Sequence, residues 1–369
     1  MLFSAGEILA GAPGFINDLF SECAIKVHDG DGSCAVNRTP HGGTIRNLLR
    51  TGVKVRPITL VHYASVHYLI RDCGPARRII RAFDDLAGTL YRDAGSQAMH
   101  LRASGDHEWT GAVSQVLGVG LATLAMCKIL PAKLAEISRI TTTGKRCDFQ
   151  VVSGGFTAVY EARGRNSRSK IQGAAKDLPA KKRAHVAHYK YGVISALPND
   201  GRPVELFIFD PPGDEGLKPP TTEQRYLQLA HHYRNAAALA GMGTLADALD
   251  RRSSEIVSRK KWISGPIVRK MPEFNSQLQH EGRTFLRDEH GAGVRLIEHA
   301  PFRPEAPDRP EWKPLHPFHL EFGLDAAVVE SLNRWDFEKL LDIPLKTHAQ
   351  PDKLLHVAED GSLLRVIAS

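Results

Sequence analysis

The sequence predicts an α/β fold in which a mixed β-sheet is flanked by helices. Two β-rich runs meet at Gly154-Gly155, and an apolar segment of helix length over residues 109–129 precedes them. A basic segment with helical character follows over residues 169–190, and two further β-rich runs occupy residues 191–197 and 204–209. Helical segments that alternate with strands in this way are typical of α/β proteins.

The chain is long enough for more than one folding unit. In its 369 residues we expect an N-terminal α+β region of unknown role over residues 1–105, a central α/β core over residues 106–212, and a mainly helical C-terminal region over residues 213–369. A stretch rich in Pro and Gly over residues 213–220 marks the linker between the last two regions.

Hydrophobic patterns predict the elements of the two flanking regions. In the N-terminal region, residues 53–70 have β-rich character interrupted by Pro57, and residues 75–91 have the spacing of an amphipathic helix. In the C-terminal region we expect helices over residues 222–239, 245–261 and 325–341, a hairpin over residues 284–299, and a short last strand over residues 363–367.

The composition narrows the classes of protein to consider. Hydrophobic residues make up 42% and charged residues 24% of the chain, as in ordinary globular proteins. There is no apolar run of about 18 residues and no basic segment at the start, so we expect neither a membrane span nor a signal peptide, and a cytoplasmic location. The five cysteines include no C-x-x-C pair, which argues against a disulfide framework and a zinc ribbon.

The predicted hairpin at Gly154-Gly155 sets the pairing of its two strands. A two-residue loop of this kind requires positive φ at both central positions, which glycine adopts without strain. Counting outward from the loop places Asp148 opposite Glu161 on the mostly polar face. Carboxylates at opposite positions have Cβ atoms roughly 4.5–5.5 Å apart, and they repel unless a cation, a proton or a basic side chain offsets their charge. The pair is therefore a candidate metal site.

An acid near the start of one strand and a Glu-x-Lys on the next resembles the PD-(D/E)xK motif of restriction-endonuclease-like nucleases. The matching residues here are Asp148 and Glu161, with Arg163 where the family usually has Lys. The resemblance implies a restriction-endonuclease-like αβββαβ core, in which Asp148, Glu161 and the Ala162 carbonyl bind Mg²⁺ or Mn²⁺. On the preceding helix, where the family often has a glutamate, it places Gln115, with Glu108 at the start of the helix as the less favoured alternative.

These residues suit phosphodiester hydrolysis, which requires an activated water and neutralisation of charge on the phosphate. A hard divalent ion supplies both. Arg163 projects to the same face as Glu161 and is expected to bind the scissile phosphate through two hydrogen bonds. Because a guanidinium stays protonated in proteins, Arg163 cannot act as a base. The catalytic residues predicted are Asp148, Glu161 and Arg163, with Arg163 limited to electrostatic stabilisation or marking weakened catalysis.

A run of basic residues after the hairpin favours a nucleic-acid partner. The chain has 48 basic and 41 acidic residues, a net charge of +7, and Asp177 is the single acid between Arg163 and Lys190. The residues expected to contact nucleic-acid phosphates, with DNA favoured, are Arg165, Arg168, Lys170, Gln172, Lys176, Lys181 and Lys182. The simpler alternative is a solvated helix face.

Three hypotheses for function follow from these observations. The favoured one is a Mg²⁺-dependent endonuclease acting on DNA, as a restriction or anti-phage defence component in a complex with a partner subunit. The second keeps the fold without the chemistry, so that the domain binds nucleic acid or scaffolds an assembly. The third is a structural protein whose basic patches contact acidic partners. No G-x-x-x-x-G-K-[ST] loop occurs, so an ATP-driven step would require another chain.

Overall fold

The computed structural model describes residues 18–32, 40–67, 86, 89–101, 107–140, 146–198, 200–209, 213–214, 216–268, 276–287, 294–295 and 318–368. Within these ranges the chain forms two seven-stranded sheets and one two-stranded ribbon, together with helices, so the protein is of the mixed α/β class. Every helix in the same ranges is too short or too polar to pass through a membrane.

The first sheet includes the strands that the sequence predicts around the Gly154-Gly155 hairpin, and helices flank it. The main helices are α1 (Gly42–Thr51), α2 (Pro57–His67), α3 (His107–Ile129), α4 (Ile171–Ala175), α5 (Leu178–Arg183), α6 (Thr222–Leu239), α7 (Gly243–Arg259), α8 (Ala326–Arg334) and α9 (Phe337–Asp342). The strands of the first sheet, in spatial order, are β2 (Val53–Val55), β1 (Cys23–Asp29), β9 (Glu205–Phe209), β8 (Tyr189–Ala196), β7 (Thr157–Arg165), β6 (Phe149–Val152) and β5 (Ile137–Arg139). Strands from both sides of position 105 therefore share one sheet.

The elements around the hairpin occur in the expected order. Helix α3 precedes the antiparallel strands β5, β6 and β7, and β8 then pairs parallel to β7. The helical segment expected over residues 169–190 consists of the two short helices α4 and α5, with Pro179 in the first turn of α5. A proline in the first turn is tolerated because the N–H that it lacks has no partner within the helix.

The strand register agrees with the sequence, but the turn does not. Val152 pairs with Thr157 across β6 and β7, as counted from the loop. Neither Gly154 nor Gly155 has a positive φ, so the expected left-handed turn is wrong. The loop closes instead through a hydrogen bond of 3.0 Å from the Ser153 N–H to the Phe156 carbonyl.

Different helices pack against the two faces of the first sheet. Alternating residues of β6 and β7, such as Phe149 and Tyr160, lie in the large core that contains α2 and α3. On the opposite face, Ile194 and Phe207 pack against Leu178 of α5. Strand alternation places the polar residues of β7 on this second face, beneath the short helices.

The N-terminal region differs from the sequence prediction. In the described part of the β-rich run over residues 53–70, Val53–Val55 forms strand β2, and residues Pro57–His67 form helix α2 rather than continuing as a strand. Every residue of this helix is buried, including the polar Thr59, His62, Ser65 and His67, so the helix shows no amphipathic period. Most of the helix expected over residues 75–91 lies outside the described residues, and Leu90–Arg92 forms strand β3, which pairs with β4 (Met99–Leu101).

The C-terminal region contains a second sheet besides its helices, which the expectation of a mainly helical region did not include. Its strands, in spatial order, are β10 (Ser276–His280), β11 (Arg283–Arg287), β13 (Phe318–Asp325), β16 (Ser362–Ala368), β15 (Leu355–Val357) and β14 (His348–Gln350), with β12 (Val294–Arg295) paired to β13. Strand β11 pairs with β10 and β13, so the hairpin expected over residues 284–299 does not form between β11 and β12. Strands of three to five residues are too short to show a clear alternating pattern.

The helix expected over residues 325–341 is interrupted. Trp335 adopts a left-handed conformation with φ of 59°, which ends α8 and precedes α9. Asp325 accepts a hydrogen bond of 2.8 Å from the Ala327 N–H, and Asp336 accepts one of 3.0 Å from the Lys339 N–H. Each aspartate therefore caps its own helix.

A buried polar network joins α2 and α6 to the second sheet. The Nδ1 atoms of His62 and His356 are 2.7 Å apart, and His62 Nε2 lies 2.8 Å from the Ser362 hydroxyl. Asp360 contacts His232 Nε2 at 2.8 Å. All five side chains are almost completely buried, so these polar contacts connect distant parts of the chain without competition from water.

Candidate active site

Asp148 and Glu161 lie at adjoining positions of β6 and β7, as the register predicts. Asp148 immediately precedes β6, and its Oδ2 accepts a hydrogen bond of 3.1 Å from the Ala162 N–H. Asp148 is half-buried, whereas Glu161 is only 1% exposed. The two carboxylates therefore lie on the face of the first sheet that α4 and α5 cover.

The two carboxylate oxygens of Glu161 have different surroundings. Oε1 accepts hydrogen bonds of 2.7 Å from Arg163 Nε and 2.5 Å from Lys181 Nζ. Oε2 is buried and has no hydrogen-bond partner among the residues that the structure describes. Burial, and next the charge of Asp148, raise the pKa of Glu161, while Lys181 and Arg163 oppose this shift. One buried oxygen is thus available to a proton or a metal ion.

Arg163 connects Glu161 to the short helices. Its Nη1 donates a hydrogen bond of 2.9 Å to the Ala174 carbonyl, and its Nη2 lies 3.7 Å from Asp177 Oδ2. The side chain is 15% exposed. Two of the three guanidinium nitrogens therefore already donate to protein acceptors and the third lies near a carboxylate, and the expected contact of Arg163 with a scissile phosphate stays a prediction.

Lys181 occupies a position that the sequence did not reveal. It was expected only among the phosphate contacts, yet α5 places its ammonium beside Glu161, with 19% of the side chain exposed. The two residues are 20 positions apart, so no local spacing connects them. Arg163 in place of the usual Lys was a signal to search for a lysine elsewhere. Choosing among the several lysines of this segment required the path of the chain.

Four of the predicted phosphate contacts are exposed in the segment that follows β7. Arg168, Lys170, Gln172 and Lys176 are accessible in the segment that includes α4. The guanidinium of Arg168 lies 5.6 Å from the centre of the Phe207 ring. These four side chains are exposed to solvent and can contact a polyanion.

The other two predicted contacts differ. Lys182 is 3% exposed and donates a hydrogen bond of 3.3 Å to the Phe209 carbonyl, so it lies in the protein interior, and its contact with nucleic acid stays a prediction. Adjacent residues on a helix point about 100° apart, which sends Lys181 toward the acids and Lys182 into the sheet. Arg165 is half-buried and donates to the Gly164 carbonyl at 2.8 Å.

A cavity of about 600 Å³ adjoins this face of the sheet. Gln150 and Val152, which alternate with Asp148 along β6, line it together with residues of α6 and α7. None of its described lining residues is acidic, and four are basic or imidazole side chains: Arg139, Arg146, His185 and His231. The cavity thus extends the polar face of the hairpin as a groove with a positive lining.

The donor set of the two acids fits a divalent cation. Carboxylate oxygens are the ligands that Mg²⁺ and Mn²⁺ prefer, and the unpartnered Glu161 Oε2 is a buried oxygen that such an ion would satisfy. The Ala162 N–H is directed to Asp148, and the role of its carbonyl as a ligand stays a prediction. Gln115 is an exposed residue of α3.

Comparison with known proteins provides no relative: no family model, no curated protein and no solved structure matches this chain. The mixed α/β architecture is established by the structure itself. The function is therefore inferred from the residues of the site, their burial and their charge.

Proposed function

We propose that this chain is a metal-dependent nuclease that hydrolyses phosphodiester bonds of DNA. One observation carries the proposal: the buried Glu161 lies beside Asp148, has one oxygen without a partner, and binds Lys181 through the other. Support also comes from the order of elements along the chain. Helix α3 is followed by the antiparallel strands β5, β6 and β7, then by the two short helices, and then by β8, which is parallel to β7. The same αβββαβ order is expected for a restriction-endonuclease-like core, which is the fold that we propose for this region.

Each residue of the site has a distinct role in this proposal. Asp148 and Glu161 Oε2 would hold Mg²⁺ or Mn²⁺, which supplies water activation and neutralises phosphate charge. Lys181 carries an ammonium that can exchange a proton, a property that the Arg163 guanidinium lacks. Arg163 holds the Glu161 carboxylate in position through its bond to the Ala174 carbonyl.

The substrate surface consists of the exposed basic residues and the adjoining groove. Arg168, Lys170 and Lys176 would contact the phosphate backbone, which favours a polyanion at this face. The groove beside Gln150 would receive the strand next to the cut. The setting that we propose is the cytoplasm, where the chain acts as a restriction or anti-phage defence component together with a partner subunit.

Cleavage assays with plasmid, single-stranded DNA and RNA in Mg²⁺ or Mn²⁺ test the proposal. We expect Glu161→Ala to lower the rate by about 100-fold or more, because it removes a metal ligand and the partner of Lys181. Glu338→Ala, which changes an exposed glutamate in α9, is the matched control and should retain full activity. Equal cleavage by the Glu161→Ala protein and the parent would contradict the proposal.

A second candidate is a nuclease-fold protein that binds nucleic acid without cleaving it. The observation in its favour is that two basic side chains, Arg163 and Lys181, already neutralise Glu161. It predicts no cleavage under any metal condition, together with DNA binding that weakens steeply with salt. Binding to an acidic peptide with equal affinity would instead favour a structural protein.

A further inference from the structure

A cluster of two histidines and one glutamate lies in the second sheet, outside the proposed active site. His280 ends β10, Glu281 begins the turn that leads to β11, and His348 begins β14. The Nε2 atoms of His280 and His348 are 3.0 Å apart, and His348 Nε2 lies 3.4 Å from Glu281 Oε2. Among the described residues, these are the only three His, Cys, Asp or Glu side chains whose ligand atoms all lie within 4.8 Å of one another.

The spacing of these atoms matches the edges of a zinc tetrahedron. Zinc bound by nitrogen or oxygen at about 2.0–2.1 Å holds neighbouring ligand atoms about 3.3–3.4 Å apart. The separations of His348 Nε2 from His280 Nε2 and from Glu281 Oε2, 3.0 Å and 3.4 Å, differ from this edge by only a few tenths of an ångström, and the third pair of ligand atoms lies within 4.8 Å. Small side-chain rotations would therefore bring all three atoms to bonding distance from one ion.

Hydrogen bonds around the cluster orient two of its members as ligands. His348 Nδ1 lies 3.2 Å from the Lys346 carbonyl, which can only accept, so Nδ1 carries the hydrogen and Nε2 presents its lone pair. Gln350 donates a hydrogen bond of 2.6 Å to Glu281 Oε1, which leaves Oε2 directed at His348. Contacts of this kind commonly orient the ligands of protein metal sites.

The backbone of the turn places a glutamate at a position that favours other residues. Glu281 has φ of 47° and Gly282 has φ of 74°, so both central residues of this two-residue hairpin loop are left-handed. Asn, Asp and Gly are the residues that this type of turn favours at its first central position. A glutamate here is disfavoured by the backbone, but its longer side chain reaches His348.

We propose that His280, Glu281 and His348 bind a zinc ion that joins the two outer strands of the second sheet. Strands β10 and β14 lie at opposite ends of the hydrogen-bonded strand order, and in the described part of the chain no ladder connects them directly. Three protein ligands leave one tetrahedral position for water. The ion would act as a tether between the sheet edges, and this role is independent of the proposed nuclease activity.

Zinc titration of the full-length protein, with Mg²⁺ in excess to occupy the hairpin acids, tests the proposal. We expect saturable binding, and Co²⁺ in its place should give the strong visible absorption of a tetrahedral site. His348→Gln and Glu281→Gln should each weaken the affinity by about 100-fold or more, because each removes a ligand. His28→Gln is the matched control, since His28 forms a 2.8 Å pair with Glu205 that is not part of this cluster.

Two results would overturn the proposal. The first is parent protein that binds no zinc at micromolar concentrations, and the second is unchanged affinity in both ligand variants. Circular dichroism without metal shows whether each variant is folded, and Glu281→Gln keeps the test valid because its side chain is exposed. A rise in melting temperature on zinc addition, seen in the parent and in His28→Gln but absent from His348→Gln, would support the tether.

Discussion

The ammonium of Lys181 lies 2.5 Å from Oε1 of Glu161, although the two residues are 20 positions apart in the chain. Helix α5 supplies the lysine and strand β7 supplies the acid, so their contact depends on how the short helices pack on the sheet. Since Arg163 cannot exchange a proton, Lys181 is the side chain in this site that combines positive charge with that capacity.

Replacing Lys181 tests its part in the proposed reaction. We expect Lys181→Ala to lower metal-dependent cleavage by about 100-fold to 10,000-fold, as is typical for loss of a positioned acid or base. Lys176→Ala removes an exposed lysine of the same segment and should change the rate far less. Rates from single-turnover cleavage would measure both effects. Equal decreases of the cleavage rate in Lys181→Ala and Lys176→Ala would show that Lys181 contributes only to general attraction of phosphate.

Arg163→Lys restores the residue that the nuclease family usually has, yet we expect it to reduce function. The guanidinium of Arg163 bridges Glu161 and the Ala174 carbonyl, and a single ammonium cannot make both hydrogen bonds in the same geometry. Loss of one buried bond should lower the free energy of unfolding by about 1–3 kcal/mol. Urea unfolding and cleavage assays measure the result, and faster cleavage by Arg163→Lys would show that the arginine attenuates the chemistry.

Metal binding should depend on pH through Glu161. Burial, and then the charge of Asp148, raise the pKa of Glu161, so the proton stays bound to higher pH than on an exposed glutamate. A metal ion must displace this proton, so affinity should increase about tenfold per pH unit below the raised pKa and level off above it. Mn²⁺ titrations at a series of pH values above 4.5, the ordinary pKa of a glutamate, would measure the effect. A pH-independent affinity would exclude Glu161 as a ligand.

Two glycines of the hairpin region should respond differently to alanine. A Cβ atom at Gly164 would overlap the Ser114 carbonyl of α3, whereas one at Gly155 would meet open space. We expect Gly164→Ala to lower the free energy of unfolding by about 3 kcal/mol, because neither backbone can yield easily. Gly155→Ala should have little effect because Gly155 does not need a positive φ. A large decrease in the free energy of unfolding of Gly155→Ala would favour the left-handed turn that the sequence predicted.

The buried histidines should make the fold sensitive to mild acid. Burial lowers the pKa of His62 from 6.5 to about 4, while Asp360 opposes the shift and His232 adds to it. Between these values the unfolded chain binds a proton that the folded protein does not. Stability therefore falls as the pH drops from 6.5 to 4, by about 3 kcal/mol for this residue. Urea unfolding at several pH values measures how the free energy of unfolding changes with pH. The slope of this dependence should be shallower for His62→Gln than for the parent, and an unchanged slope would contradict the role given to His62.

Local patterns determined the hairpin and the pairing of its acids. Alternation of side chains and the position of Gly154-Gly155 were sufficient to place Asp148 opposite Glu161, because register follows from counting once the loop is known. The same patterns identified helix α3, the antiparallel strands and the parallel strand β8 after a helical segment. They failed for α2, which is buried on all sides, and for the short strands of the second sheet.

Only the tertiary structure decided which side chains meet at the site. Lys181 and Lys182 are neighbours in the sequence with the same charge, yet one contacts Glu161 and the other is buried against the Phe209 carbonyl. His280 and His348 are 68 positions apart and meet because the outer strands of the second sheet approach each other. Such contacts depend on the packing of whole elements, which spacing along the chain does not encode.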